Sequence, residues 1–103
     1  MANSNISKTF CTRNAFPELA GHSLQGGASV TVNIDDGFII VYRNHSNPSL
    51  NLFCVIAKVS DRMAYVIADT GAVTGKIEIT AVTNNSVTIK NNHSIAVYGT
   101  SFC

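Results

Sequence analysis

The stretch Leu50 to Val59, LNLFCVIAKV, constrains the fold more than any other part of the chain, because apolar side chains fill both alternation faces and only Asn51 and Lys58 interrupt them. Strand side chains point to opposite faces at successive residues. Leu50, Leu52, Cys54 and Ile56 therefore share one face, and Phe53, Val55, Ala57 and Val59 share the other. Phenylalanine and β-branched residues in so short a run, bounded by Asn-Pro-Ser and Ser-Asp-Arg, favour a strand over a buried helix. A strand apolar on both faces needs cover on both. One face is expected to meet an opposing sheet, and the other to meet residues 1–28 or a partner subunit.

Around this strand the sequence period is two. Val30, Val32 and Ile34 alternate with Thr31 and Asn33 as a half-exposed strand, and Asp35-Asp36-Gly37 follows as a hairpin signal, since Gly supplies the positive φ of a tight loop. Phe38 to Arg43 form a strand apolar on both faces apart from Arg43. Met63 to Ala68 form another, and the 60–62 turn joins it to the central stretch. Ile77, Ile79 and Ala81 alternate with Lys76, Glu78 and Thr80; Val87 and Ile89 alternate with Ser86, Thr88 and Lys90; a last strand runs from Ile95 towards Phe102. Asn84-Asn85 is a second short hairpin signal.

Seven strands on short loops make an all-β domain, an antiparallel β-sandwich of jelly-roll-like or meander topology, because parallel pairing needs crossovers of a dozen residues or more. Residues 1–28 are the irregular part, with one helical turn at Pro17 to Ala20 closed by Gly21. They are expected to pack on an edge or open end of the β domain, residues 29–103. The length suits a single domain.

Charged residues are only 13% of the chain, about half the usual ~25%. Thirty Ser, Thr and Asn residues supply the polar surface instead. The formal net charge of +1 with scattered Lys and Arg excludes the basic patch of a nucleic-acid binder. No apolar run is long enough for membrane insertion, and MANSNISKTF lacks the order of a signal peptide. The expectation is a protein made in a reducing cytoplasm without a signal peptide and shown on a virion or extracellular surface. Cys54 is expected as a core thiol. Cys11 and Cys103 lie near the two chain ends, where a disulfide is conceivable and free thiols are favoured.

If consecutive strands run up and down, the 35–37, 60–62 and 84–85 connections share one end of the domain. That end carries Asp35, Asp36, Asp61, Arg62, Asn84 and Asn85, residues that tight turns prefer for backbone reasons; no metal site and no cofactor are expected. The 44–49, 69–75 and 91–93 loops share the other end. They bring Arg43, Asn44, His45, Asn47, Asp69, Thr70, Asn91, Asn92 and His93 together as candidate ligand-binding residues. Amides, carboxylates and hydroxyls of this kind bind neutral sugars, and Tyr42 and Tyr98 could give the aromatic plate if their rings reach the rim. No Ser or Cys stands in a nucleophile motif and no pair of glutamates is placed as acid and base, so the chain is read as non-enzymatic.

The run KIEITAVTNNSVTIKNNHSIAVYGTSF, residues 76 to 102, with valine and isoleucine hairpins, Asn-Asn turns and a short apolar C-terminal strand, resembles the C-terminal head domains of bacteriophage tail-fibre and receptor-binding proteins. The resemblance covers about a quarter of the chain and implies a homotrimer at a fibre tip that recognises a cell-surface saccharide or protein receptor. The alternative function is a structural or assembly subunit, such as a virion decoration or scaffold protein, without a small ligand.

Overall fold

The computed structural model describes residues 12–59, 62–71 and 75–102. Nine strands are present among them: β1 (Thr12–Asn14), β2 (Ser23–Leu24), β3 (Ser29–Asn33), β4 (Gly37–Arg43), β5 (Leu52–Val59), β6 (Met63–Gly71), β7 (Ile77–Thr83), β8 (Ser86–Asn91) and β9 (Val97–Phe102). All pairing is antiparallel. The larger sheet has the order β1-β9-β4-β5-β6, with β2 also paired to β9, and the smaller sheet has the order β3-β8-β7. Among the described residues no helix is long and apolar enough to cross a membrane.

The two sheets close on one core. Ile39 and Val41 of β4, Leu52, Cys54 and Ile56 of β5, and Val97 of β9 face inward from the large sheet. Val32, Ile77, Val87 and Ile89 meet them from the small sheet, together with Ile34 just beyond β3. Full burial of each such side chain is worth about 1.5–3 kcal/mol. Cys54 is a free, fully buried core thiol. Cys11 and Cys103 lie outside the described residues.

The described part of the N-terminal segment packs along the β9 edge and into the core. β1 pairs Thr12 with Phe102 and β2 pairs Leu24 with Val97. Between them Ala15 and Phe16 enter the core, Phe16 with no exposure at all. The Phe16 ring lies where β9 carries Gly99, and a Cβ at Gly99 would come within 2.7 Å of Phe16 Cζ. The absence of a side chain at Gly99 is what makes room for the ring. The helical turn forms at Ala20–His22 instead of Pro17 to Ala20, with Gly21 at φ 65° inside it.

The Asp35-Asp36-Gly37 hairpin is not formed. β3 pairs with β8, whereas β4 pairs with β5 and β9, so Asp35 and Asp36 carry the chain from one sheet to the other. Inward residues of β3 and β4 thus oppose each other across the layers. Gly37 still has the expected positive φ, at 147°, and a side chain there would collide with the Phe102 carbonyl. The hairpin over Asn84-Asn85 is present, with Thr83 opposite Ser86. β6 extends to Gly71, so Asp69 and Thr70 belong to a strand and not to the loop expected there.

Among the described residues, cover is found on only one face of the central strand. Leu52, Cys54, Ile56 and Lys58 are buried against the small sheet, but Phe53 and Val59 on the opposite face are 46% and 48% exposed. Residues 12–28 do not lie over that face, since they are occupied at the β9 edge and in the core.

Candidate functional site: loop end and outer face

The connections alternate between the two ends of the sandwich as the up-and-down count requires. At one end Lys58, 2% exposed, donates from Nζ to the carbonyl oxygens of Asp35 at 3.0 Å, Val59 at 3.0 Å and Asn84 at 3.1 Å. An ammonium has three protons, and each meets one carbonyl. Lys58 thereby ties the connection between the sheets to the β7–β8 turn. The residue that interrupts the apolar run in the sequence is the pin of this end.

At the other end the candidate ligand-binding residues divide by role. Asn91 is fully buried, and its Nδ2 donates to the carbonyls of Leu24 and Ile95, each at 2.9 Å. Its Oδ1 accepts from His93 N at 2.8 Å. His93 is 2% exposed, with Nε2 2.8 Å from the Leu50 carbonyl. These two residues fasten the loops together and are buried, unlike the exposed Asn44, Thr70 and Asn92 of the same end. His45 accepts at Nδ1 from Asn47 N at 2.9 Å, and Asn47 Oδ1 accepts from Ser49 N and Oγ as the cap of the 3-10 turn Pro48–Leu50. His45 N donates to Asn51 Oδ1.

Arg43 donates from Nη1 to the Ala96 carbonyl at 3.2 Å, and its guanidinium carbon stands 5.7 Å from the centre of the Tyr98 ring. Asp69 lies opposite Cys54 on the inward side of β6, with Oδ1 3.8 Å from Lys76 Nζ. The Cys54 thiol is pushed up to about 11, chiefly by burial and then by the Asp69 carboxylate, with Lys76 acting in the opposite direction. Asn92 is exposed and donates to Glu78 Oε1 at 3.0 Å. Asn44 and Thr70 are exposed as well. Among the described residues the loop end therefore holds a few outward polar groups around an internal hydrogen-bonded clasp.

The larger feature lies beside it, on the outer face of the six-stranded sheet. Register places Tyr98, Tyr42, Phe53 and Thr70 in one row across β9, β4, β5 and β6. The next row is Thr100, Ile40, Val55 and Ala68, and the one after it is Phe102, Phe38, Ala57 and Tyr65. Val59 and Met63 close the β5–β6 end. None of these residues is Asp, Glu, Lys or Arg. Phe38, Tyr42, Phe53, Val59, Met63, Tyr65 and Tyr98 are each between 37% and 52% exposed, and Ile67, the extra residue at the β6 irregularity, is 57% exposed. The Tyr42 and Tyr98 rings are 5.9 Å apart and tilted by 36°, on the row nearest the loop end.

The outer face of the small sheet shows what a solvated face looks like in the same molecule. Its register brings together Ser29, Lys90 and Glu78, then Thr31, Thr88 and Ala81, then Asn33, Ser86 and Thr83. Thr31 and Thr88 are joined hydroxyl to hydroxyl at 2.9 Å. One outer face is thus polar apart from Ala81, and the other apolar and aromatic. The double-sided apolar pattern of residues 38–42 and 50–59 is the sequence signal of the second, but it does not say which of the two faces the described residues leave exposed. No protein-family model, curated protein or solved structure matches this chain.

Proposed function

We propose that the chain acts by binding and not by catalysis, as an assembly subunit whose working surface is the outer face of the six-stranded sheet. The observation that carries this reading is the contrast between the two outer faces. Monomeric soluble proteins rarely leave large contiguous apolar patches exposed, and such patches mark docking sites. Aromatic residues and Met are the types enriched at the centre of protein interfaces, and charged residues are the types depleted there. Phe38, Tyr42, Phe53, Met63, Tyr65 and Tyr98 meet both conditions.

The state of the reactive groups agrees with a binding role. Cys54 is buried and held as a thiol, the His93 ring is engaged by the Leu50 carbonyl, and His45 Nδ1 is engaged by Asn47. The test is dye binding by the dissociated chain: an environment-sensitive dye such as ANS should bind it, and Phe53→Ser with Tyr65→Ser should remove most of the signal. A chain that binds no dye in any state contradicts the reading.

A second reading, recognition of a cell-surface saccharide or protein receptor as a fibre head does, is favoured by one observation. The Tyr98–Tyr42–Phe53 row ends at the loop end, where Asn44 and Thr70 are exposed, and so places aromatic rings beside amide and hydroxyl groups. In a homotrimer of the kind that the fibre-head resemblance implies, this rim would face outward. Glycan-array binding abolished by Tyr42→Ala supports it, and an array without signal removes the saccharide.

A further inference from the structure

We infer that the outer face of the six-stranded sheet is covered by another copy of this chain. This inference rests on the docking role proposed for that face and names its occupant. Area is the first argument. Aromatic side chains carry 150–250 Å² each, and the exposed fractions of the eight large residues on and beside this face amount to roughly 700 Å², close to the ~800 Å² that each partner buries in a stable interface of standard size.

Charge is the second argument. The face holds no Asp, Glu, Lys or Arg at any register position, so identical copies meet without repulsion. Apart from the Arg43 guanidinium beside Tyr98 at the rim, a strongly charged partner or an anionic lipid surface would find no counter-charge at these positions. Shape is the third. Aromatic rows alternate with the smaller row Thr100, Ile40, Val55 and Ala68, about 7 Å apart along the strands. An identical face displaced by one row sets the rings of each copy against the smaller side chains of the other, the reciprocal contact that symmetric association uses. The remaining occupant from the chain itself is residues 1–11, MANSNISKTFC, which offer Ile6 and Phe10 as large apolar residues beside Met1, against eight on the face.

Sedimentation equilibrium of the purified full chain tests this. The wild-type chain should sediment as an oligomer, Phe53→Ser and Tyr65→Ser should each weaken association by about tenfold or more, and the double variant should be monomeric while keeping the wild-type far-UV circular dichroism of a folded β protein. Ala81→Ser, on the polar outer face of the small sheet, should behave as wild type. A wild-type chain that stays monomeric at high concentration, or an oligomer that both variants leave intact, overturns the inference. ANS separates this failure from that of the docking role: a monomer whose face binds the dye keeps the docking surface and rules out only the second copy as its occupant. A monomer that gains dye binding when residues 1–11 are deleted makes that segment the cover and contradicts both.

Discussion

Lys58 and Cys54 lie on one strand face two registers apart, and each shows how a single side chain is fixed by what lies across the layers. Lys58 donates to three carbonyls at once. Lys58→Met keeps the apolar stem and removes the donors, which should lower the unfolding free energy by roughly 3 kcal/mol and shift the urea midpoint accordingly. A midpoint equal to wild type would show that the pin is dispensable. Cys54 is inert for the opposite reason, since its surroundings favour the neutral thiol. The folded state holds that proton more tightly than the unfolded one, whose thiol ionises near 9.0. This contribution is therefore complete below pH 9, is lost as pH rises from about 9 to about 11, and is worth up to roughly 3 kcal/mol. Denaturation midpoints across that range should fall more steeply for wild type than for Cys54→Ala. In native protein at pH 8 the Cys54 thiol should also resist DTNB. The buried thiol was legible in the sequence, since Cys54 falls on the inward alternation of the apolar run; the role of Lys58 was not, because it reads as an interruption and its three partners come from three separate parts of the chain.

At the scale of elements, the half-exposed strands β3, β7 and β8 were readable because local alternation of Val and Ile with Thr, Ser and Lys sets which side faces the core. The Asn84-Asn85 hairpin was readable for the same local reason. The pairing partner of β3 was not, since Asp35-Asp36-Gly37 serves equally for a hairpin and for a crossing between sheets, and only the distant strand β8 decides. The fit of Phe16 to Gly99 is also long-range. Gly99→Ala should force the ring or the strand to shift, at a cost of about 1–3 kcal/mol, and a thermal melt at the wild-type value would refute the close fit. Asn91 and His93 looked like surface turn residues because Asn and His are common there, and their burial depends on the carbonyls of Leu24, Ile95 and Leu50 reaching the same place. Asn91→Ala removes the side-chain donor to the Leu24 and Ile95 carbonyls and the acceptor of the His93 N–H, and should cost roughly 2–3 kcal/mol. A loss of no more than an exposed substitution causes, read from denaturant melts, would contradict the clasp.

For the whole molecule, the alternation of faces carries the functional argument. The sequence announced that residues 38–42 and 50–59 are apolar on both sides, and the structure shows which side the domain itself satisfies. The small sheet and the Phe16 segment take the inner face, and nothing among the described residues takes the outer one. The working surface is then a sheet face, with the loop end at its rim. Hydroxyl-radical footprinting of the full chain, read at Met63, Tyr65, Phe53 and Tyr42 and compared between concentrated and dilute solution, tests this most directly. The account predicts that these four residues are protected in the concentrated sample and reactive on dilution, while the exposed Asn44–Asn47 loop is unchanged. Equal and high reactivity of all four at both concentrations would contradict it.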